Sequence, residues 1–296
     1  MSLSLPRWPL LAACFSLAMS SHAAVRVITW VPPYGVEKSK QRLDETYDGA
    51  AVKDGITHLA LQFWVPTPEG GIGRPQRYGK ISDETITALR DWAHARGIRV
   101  LLCLYNGENK WDWDLAKAGF VKKPLKFADA LVEEATRLGL DGVDIDLEGN
   151  GKFDSDEPAF TAFIRDLSGK LHAKQLELTV DTFCDQWNAP SVKWWPNLLP
   201  HVDALTTMGY QETGAFSKEW RAYDAQKKAA GEYTGKLLMG VPASKGQWQE
   251  HPAGEHLQWL VENGVGAAIW DAQLPDAAWR TGAVWKQIQA IAGKTK

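Results

Sequence analysis

Short apolar segments recur along the chain, and each is followed by polar or aromatic residues. Stretches with the apolar spacing of amphipathic helices lie between them. Such alternation of buried strands and helices predicts parallel strands joined by crossover helices. The eight predicted strands are Val25–Val31, Thr57–Trp64, Arg99–Tyr105, Gly142–Glu148, Glu177–Phe183, Ala204–Tyr210, Leu237–Pro242 and Ala267–Trp270.

The predicted helices carry their own start and stop signals. Ser82 is the N-cap of a helix over Asp83–Arg96, and Gly97 ends it. Eight strand–helix units within about 250 residues predict an α/β fold, a single (β/α)8 TIM barrel. A doubly wound open sheet is the alternative, but it generally has fewer strands, and no Gly-rich phosphate turn follows the first strand here. Without a linker in the pattern, residues 24–296 are predicted to form one domain.

The beginning of the chain has the features of a secretory signal peptide. Arg7 supplies a positive charge, Trp8–Met19 is mostly apolar, and small residues precede a cleavage site before Ala24. Residues 1–23 are therefore predicted to be removed, and the protein to be secreted or periplasmic. Cys14 follows Leu-Ala-Ala as in a bacterial lipoprotein box, so lipidation is the alternative.

Charge and residue placement argue against several functional classes. The formal net charge is −3 and no basic cluster is present, so nucleic acid is not expected as a partner. Beyond the signal peptide, no apolar segment is long enough to span a bilayer. The seven histidines show no metal-binding helical spacing. We expect a monomer without a metal or another cofactor.

The most informative segment is 141–148, Asp-Gly-Val-Asp-Ile-Asp-Leu-Glu. Because side chains of a strand alternate between its faces, Asp144, Asp146 and Glu148 line one face and the aliphatic residues the other. Burying ionised carboxylates costs several kcal/mol unless they are paired or share protons, so this face indicates catalysis or a metal. A structural acidic strand or a calcium site is the alternative, although calcium loops need a more flexible backbone.

A barrel would place Glu148 at its mouth, with Asp146 and Asp144 successively deeper. Carboxyls this close cannot all ionise, so the set should hold a proton near neutral pH, as a general acid requires. Such an acid suits protonation of a glycosidic oxygen. Since neighbours on one strand share one side of the sugar, the nucleophile must come from elsewhere, and a 2-acetamido group supplies its own carbonyl oxygen.

The segment Asp141–Glu148 resembles the active-site signature of glycoside hydrolase family 18, which contains many chitinases and endo-β-N-acetylglucosaminidases. The resemblance implies a TIM barrel and a role for each acid. Glu148 would be the catalytic acid/base, and Asp146 would hold the acetamido group. Asp144 would share the proton of Asp146.

Further matches lie at the ends of later strands. Met208-Gly209-Tyr210-Gln211 resembles the family's Met-x-Tyr-Asp, which implies that Tyr210 hydrogen-bonds the acetamido carbonyl. Trp270 resembles the tryptophan beneath the reacting sugar, and Leu238–Pro242 resembles the strand-seven segment. The predicted substrate-binding residues are Trp270, Gln211, Met208, Asn106 and Trp30. Other tryptophans at strand ends or in the following loops are weaker candidates for sugar stacking: Trp64, Trp111, Trp113, Trp187 and Trp248.

The chain departs from the family pattern at two places. Gln211 stands where many members have aspartate, and Leu104-Tyr105-Asn106-Gly107 stands where they have Ser-x-Gly-Gly. The stretch between Ser244 and Gly266 is too short for the α+β insertion of some members, which implies an open cleft and endo-type cutting.

The leading hypothesis is a secreted or periplasmic retaining endo-glycosidase that uses the 2-acetamido group of its substrate. Chitin, peptidoglycan and N-glycan cores all carry that group, and the sequence does not choose among them. The alternative is a non-catalytic glycan-binding protein on the same scaffold. Such relatives typically lose the acid corresponding to Glu148, which this chain keeps.

Overall fold

The computed structural model describes residues 25–108, 110–208, 221–242 and 253–293. The predicted signal peptide, Tyr210, Gln211 and Trp248 lie outside these ranges. Within them, parallel strands form a closed barrel, because β1 pairs with both β8 and β2. The barrel strands are β1 Val27–Val31, β2 His58–Pro66, β3 Arg99–Tyr105, β4 Gly142–Asp146, β5 Glu177–Thr182, β6 Ala204–Thr207, β7 Leu237–Pro242 and β8 Gly266–Trp270.

The strands follow one another around the barrel in chain order. This closure confirms the predicted (β/α)8 fold and excludes the open doubly wound sheet. The α-helices of the described ranges are α1 Val36–Leu43, α2 Val52–Gly55, α3 Asp83–His94, α4 Trp113–Phe120, α5 Pro124–Arg137, α6 Glu157–His172, α7 Trp195–Leu198, α8 Arg221–Ala230, α9 Ala253–Asn263 and α10 Gly282–Ile291.

Local signals act at α3 as predicted. The Ser82 hydroxyl accepts a hydrogen bond from the Thr85 main-chain N–H at 3.3 Å, which satisfies one unpaired donor of the first turn. Gly97 has a φ of +68°, a left-handed conformation that glycine adopts at little cost, and it turns the chain into β3. The helix itself ends at His94, two residues before the predicted Arg96.

Two apolar layers enclose the barrel wall. Val143, Ile145 and Leu147 belong to the large core between strands and helices. A smaller cluster fills the barrel interior, including Trp30 and Cys103. Among the described helices, none is both long and apolar enough to cross a membrane.

Charged residues gather where the strands begin. Glu177, the first residue of β5, forms an ion pair through Oε1 with Arg99 Nη1 at 2.7 Å. Oε1 also lies 3.7 Å from Arg26 Nη2, and Oε2 lies 3.0 Å from His58 Nε2. This end of the barrel is therefore fastened by an ionic cluster, here called the basal cluster: Arg26, His58, Arg99 and Glu177.

Candidate active site

The acids predicted on one face of β4 point into the barrel near its carboxyl-terminal mouth. Asp144 is fully buried and Asp146 is 3% exposed. Glu148, two residues past the end of the strand, is partly exposed. Because Val143 and Ile145 face the outer core, the predicted alternation is confirmed. From Asp144 to Glu148 the acids thus become less deeply buried and more exposed, in the predicted order.

Asp144 accepts hydrogen bonds from donors on three other strands. Trp30 Nε1 of β1 donates to Oδ2 at 2.9 Å, and the Thr179 hydroxyl of β5 donates to Oδ1. The Cys103 thiol of β3 also bonds this carboxyl. Burial raises the pKa of Asp144, and these donors act in the opposite direction because they stabilise the anion.

Asp146 and Glu148 form a pair of hydrogen-bonded carboxyls. Burial and the neighbouring Asp144 charge raise the pKa of Asp146 to about 7, while Gln62 Nε2 opposes this by donating to Oδ2 at 2.9 Å. Burial and the Asp146 charge also raise the pKa of Glu148 well above its ordinary value. Two carboxyls can bond each other only through a proton, so the pair retains one near neutral pH.

Asn106 holds the main chain at Glu148 from the end of β3. Its Nδ2 donates to the Glu148 carbonyl oxygen at 2.8 Å, and its Oδ1 accepts from the Glu148 N–H at 2.8 Å. Asn106 is only 3% exposed, and both ends of its amide are engaged. Its side chain therefore positions Glu148, and the predicted contact between Asn106 and substrate stays a prediction.

Trp30 also differs from the expectation. The prediction placed it in the groove, but it is 1% exposed, and its indole N–H bonds Asp144 deep in the barrel. Its ring lies 6.0 Å from that of Trp270 at an angle of 53°. Trp30 therefore supports both Asp144 and the tryptophan above it, because the first strand directs its side chain inward and not toward the mouth.

The other predicted site residues are placed as follows. Trp270 is the last residue of β8 and is partly exposed at the mouth. Met208 directly follows β6, is 9% exposed and donates its main-chain N–H to the Thr182 carbonyl at 2.7 Å. Tyr210 and Gln211 lie outside the described residues, so their roles stay predictions.

Exposed aromatic rings stand on opposite sides of the mouth. Tyr34, after β1, meets Tyr78, after β2, with ring centroids 5.3 Å apart. Across the mouth, Trp187 after β5 is 59% exposed, with Lys152 Nζ 3.9 Å from its ring centroid. Of the weaker tryptophan candidates, Trp111 is also exposed, whereas Trp64 and Trp113 are buried.

A main-chain bridge joins the loops that follow β4 and β5. Gly149 N–H donates to the Ala189 carbonyl, and Ala189 N–H donates to the Gly149 carbonyl, both at 2.9 Å. Because Gly149 is adjacent to Glu148, the bridge holds the acid from the side opposite Asn106. The loop conformation at the mouth is thus fixed by long-range backbone contacts.

Two buried polar residues in the site were not identified from the sequence. Gln62 on β2 bonds Asp146, and Asp181 on β5 lies beside Asp144. Gln62 is a polar residue on a mostly apolar strand, whereas Asp181 continues the alternation of Glu177 and Thr179 with the aliphatic residues of β5. The signal was a polar residue at an inward position of a strand. It becomes specific only once the neighbouring strands are known.

The arrangement provides a proton donor at the open end of the barrel, with buried acids beneath it that hold its charge state. Within the described ranges, no group of three or more histidine, cysteine, aspartate or glutamate residues has an arrangement that could hold a metal ion. A proton donor at the mouth above buried acids supports general acid and base catalysis on a ligand bound there.

Comparisons with known proteins extend these observations. The sequence model of the family "Glycosyl hydrolases family 18" matches residues 27–290. No curated protein matches the chain in a sequence search.

Solved structures with the same fold include a chitinase from Chromobacterium violaceum, with a TM-score of 0.69 and 16% identity over 90% of this chain and 99% of that one. The spore cortex-lytic enzyme SleL of Bacillus cereus has a TM-score of 0.67 and 14% identity over 90% of this chain and 74% of its own. A class V chitinase from Pseudomonas fluorescens has a TM-score of 0.68 and 15% identity, covering 90% and 99%.

Proposed function

The chain belongs to the glycosyl hydrolases of family 18, and from this premise we propose that it is a retaining endo-glycosidase that hydrolyses β-linked N-acetylhexosamine glycans. The observation that carries the proposal is the Asp146–Glu148 carboxyl pair, which retains a proton at the mouth of the barrel. A glycosidic oxygen at the mouth would receive that proton from Glu148.

The proposed first step needs no protein nucleophile. The acetamido carbonyl oxygen of the substrate attacks C1, the bond from C1 to the leaving oxygen breaks, and the Glu148 proton passes to that oxygen. Asp146 accepts a hydrogen bond from the acetamido N–H and stabilises the positive charge that forms on the ring. The placement of Asp146 and Glu148 on the same strand supports this route, because neighbours on one strand share one side of the sugar.

In the proposed second step, water attacks C1, the bond from C1 to the acetamido oxygen breaks, and Glu148 takes the proton of the water, which restores the acid and retains the anomeric configuration. Tyr210 would bond the carbonyl oxygen during the first step, and Gln211, Met208 and Trp270 would contact the sugar. Asn106 positions Glu148 for both proton transfers through its bonds to the Glu148 main chain.

The substrate class rests on the acetamido group. Chitin, peptidoglycan and the N-glycan core are the candidates. The fold is shared with chitinases and with a spore cortex-lytic enzyme, so chitin oligomers and peptidoglycan are the first substrates to compare. We also propose that the enzyme acts outside the cytoplasm, supported by the predicted signal peptide over residues 1–23. An exported protein that begins at Ala24 would agree with this.

The decisive variant is Glu148→Gln, which keeps the size and hydrogen-bonding capacity of the side chain but cannot supply a proton. We expect kcat to fall by a factor of about 10² to 10⁴, because that is the range general acids contribute. Release of reducing ends from a panel of acetamido glycans is the measurement. Glu133→Gln, on the solvent-exposed face of α5, is the matched control and should retain activity.

Two further results bear on the mechanism. A thiazoline that mimics the cyclised acetamido group should inhibit competitively, and activity that this compound leaves untouched would contradict substrate assistance. A wild-type protein that binds these glycans but releases no reducing ends would instead support the glycan-binding alternative.

A further inference from the structure

A fourth acid lies beneath the proposed catalytic residues. Asp181 on β5 is 1% exposed and points into the barrel, like Thr179 two residues before it. Its strand neighbour in register on β6 is Thr206. The Oδ1 atom of Asp181 is buried and lacks a hydrogen-bond donor of ordinary geometry among the residues that the structure describes, and the neighbouring Thr206 hydroxyl, which favours the anion, is uncharged. A neutral hydroxyl leaves an ionised carboxylate in this position poorly compensated, which costs several kcal/mol.

The neighbouring Asp144 has the opposite surroundings. Its two oxygens receive the Trp30 indole N–H and the Thr179 hydroxyl, and the Cys103 thiol adds a third donor. Its carboxyl also hydrogen-bonds that of Asp181. Such a contact requires one proton between the two carboxyls. Asp144 has three other donors, which stabilise its ionised form more than that of Asp181. The proton of this lower pair therefore belongs to Asp181.

We propose that Asp181 is a positioning residue that holds a proton against Asp144. The four carboxyls then form two pairs, Asp181 with Asp144 below and Asp146 with Glu148 above, each retaining one proton at neutral pH. Its catalytic consequence rests on the proposed function. Because Asp144 is already saturated with donors, the upper proton stays between Asp146 and Glu148, where the substrate needs it.

The charged and titratable groups that face Asp181 are consistent with this arrangement. They are Asp144, Asp146 and Glu148 from β4 and its exit loop, and the Cys103 thiol from β3. All are acids, and within the described ranges no lysine, arginine or histidine forms an ion pair with any of the three aspartates. Burial and the charges of Asp144 and Asp146 accordingly raise the pKa of Asp181.

Infrared difference spectroscopy at neutral pH tests the proton directly and needs no substrate. Asp181→Asn should remove one protonated-carboxyl stretching band from the spectrum of the wild-type protein. Asp91→Asn, at a surface aspartate paired with Arg90, is the matched control and should remove none. If the Asp181→Asn spectrum keeps every protonated band of the wild type, Asp181 is ionised and the proposal is wrong.

Two variants separate the hydrogen bond to Asp144 from the mere filling of space. Asn keeps an N–H donor for Asp144, whereas Asp181→Val keeps the shape and removes the donor. Without a donor at position 181, Asp144 becomes more basic and competes for the proton that Asp146 and Glu148 share. We expect the Val variant to lose about tenfold in kcat/KM and to shift the acidic limb of the pH profile upward by about one unit, with a smaller shift for Asn.

The outcomes discriminate clearly. Equal pH profiles for the two variants would show that the donor is irrelevant and would overturn the positioning role. If the alkaline limb of the pH profile moves to lower pH in the Asn variant alone, the substitution has removed a negative charge. Asp181 would then be ionised, and the proposal would be wrong. If the protein cleaves no acetamido glycan, the proposed function fails, while the infrared result still decides the protonation of Asp181.

Discussion

Asn106 shows how a residue at a recognisable position can have an unexpected role. The sequence placed it in the loop after the third strand, where a sugar contact was a reasonable prediction. In the structure both ends of its amide bond the Glu148 main chain, at 2.8 Å each. It therefore positions the main chain that carries the proposed acid.

We predict that Asn106→Ala lowers kcat and leaves KM nearly unchanged. Loss of both hydrogen bonds frees the Glu148 main chain, and small displacements of a catalytic group cost up to about 10²-fold in rate. Steady-state kinetics on an acetamido oligosaccharide is the measurement, and Asn197→Ala, a surface site bonded to Glu157, is the control.

The opposite kinetic pattern would contradict this assignment. If Asn106→Ala raises KM and leaves kcat intact, the side chain binds substrate as the sequence first suggested, because lost uniform binding appears in KM alone.

Single site residues were predictable from the sequence where polar and apolar positions alternate along a strand. The alternation around Asp144 and Asp146 gave their common face, because a strand fixes side-chain direction through its own geometry. Gln62 stood alone on a mostly apolar strand, and Asp181 lay on an alternating strand whose inward face was not assigned to the site. Each gains its meaning from a neighbouring strand distant in the sequence. Burial of Trp30 was equally invisible, because strand ends in a sequence do not reveal which side chains the barrel encloses.

At the scale of elements, strand interiors were more predictable than their ends. β3 and β7 have the predicted bounds, because continuous apolar runs define them. β4 ends at Asp146 and not at Glu148. There, Asn106 and the Gly149–Ala189 bridge draw the chain out of the ladder. These contacts come from other strands, so local propensity does not contain them.

The start of β4 depends on a close approach of two strands. A Cβ added to Gly142 would overlap the main-chain carbonyl oxygen of Glu177 on β5. The position of the Cβ is fixed by the main chain of Gly142, and the carbonyl oxygen belongs to the main chain of Glu177. No side-chain rotation can therefore relieve the overlap.

We predict that Gly142→Ala lowers the free energy of unfolding by about 1–3 kcal/mol, the usual cost of overpacking. Gly169→Ala is the control, since it lies in α6 with open space around it and should stabilise the helix by about 0.5–1 kcal/mol. Denaturant unfolding monitored by tryptophan fluorescence measures both. A Gly142→Ala protein as stable as wild type would show that the strands can separate without penalty.

Considered as a whole, the barrel has two ends with different tasks. The mouth holds buried acids and exposed rings, while the opposite end holds the basal cluster around Glu177. Although burial raises the pKa of Glu177, the His58 hydrogen bond and the charges of His58, Arg26 and Arg99 outweigh it and lower the pKa below its ordinary value. A lowered pKa means that the ionised form stabilises the folded state.

We predict that Glu177→Gln destabilises the protein by about 1–3 kcal/mol at pH 7, because its partly buried basic partners lose a charged acceptor. The stabilisation by ionised Glu177 is present above its unfolded pKa of about 4.3 and is lost as pH falls through the folded value. The difference between wild type and variant should therefore shrink below about pH 4. Denaturant unfolding at pH 7 and pH 3.5 tests this.

Activity provides the companion measurement for Glu177→Gln. At temperatures where both proteins remain folded, kcat should match that of wild type, because the basal cluster lies at the end of the barrel away from the mouth. A constant stability difference across pH would contradict the ionic explanation, and a changed kcat would show that the two ends are coupled.

The global fold was the most predictable level. Eight regularly spaced apolar segments constrain the topology strongly, since parallel strands need crossovers and a chain of this length closes on itself. The architecture of the mouth was the least predictable level. Its ring pairs and loop bridges join segments that lie tens of residues apart, and no short sequence pattern specifies them.

The reciprocal bridge between Gly149 and Ala189 has a consequence for protein engineering. The two loops hydrogen-bond each other through their main chains and should therefore be exchanged together. Transplanting only one of them from a homologue would leave a main-chain N–H and a main-chain carbonyl of the recipient without their partners. Chimeras intended to change glycan preference should carry both segments together. Half-grafts would be expected to misplace the acid even when every grafted residue is compatible with its new host.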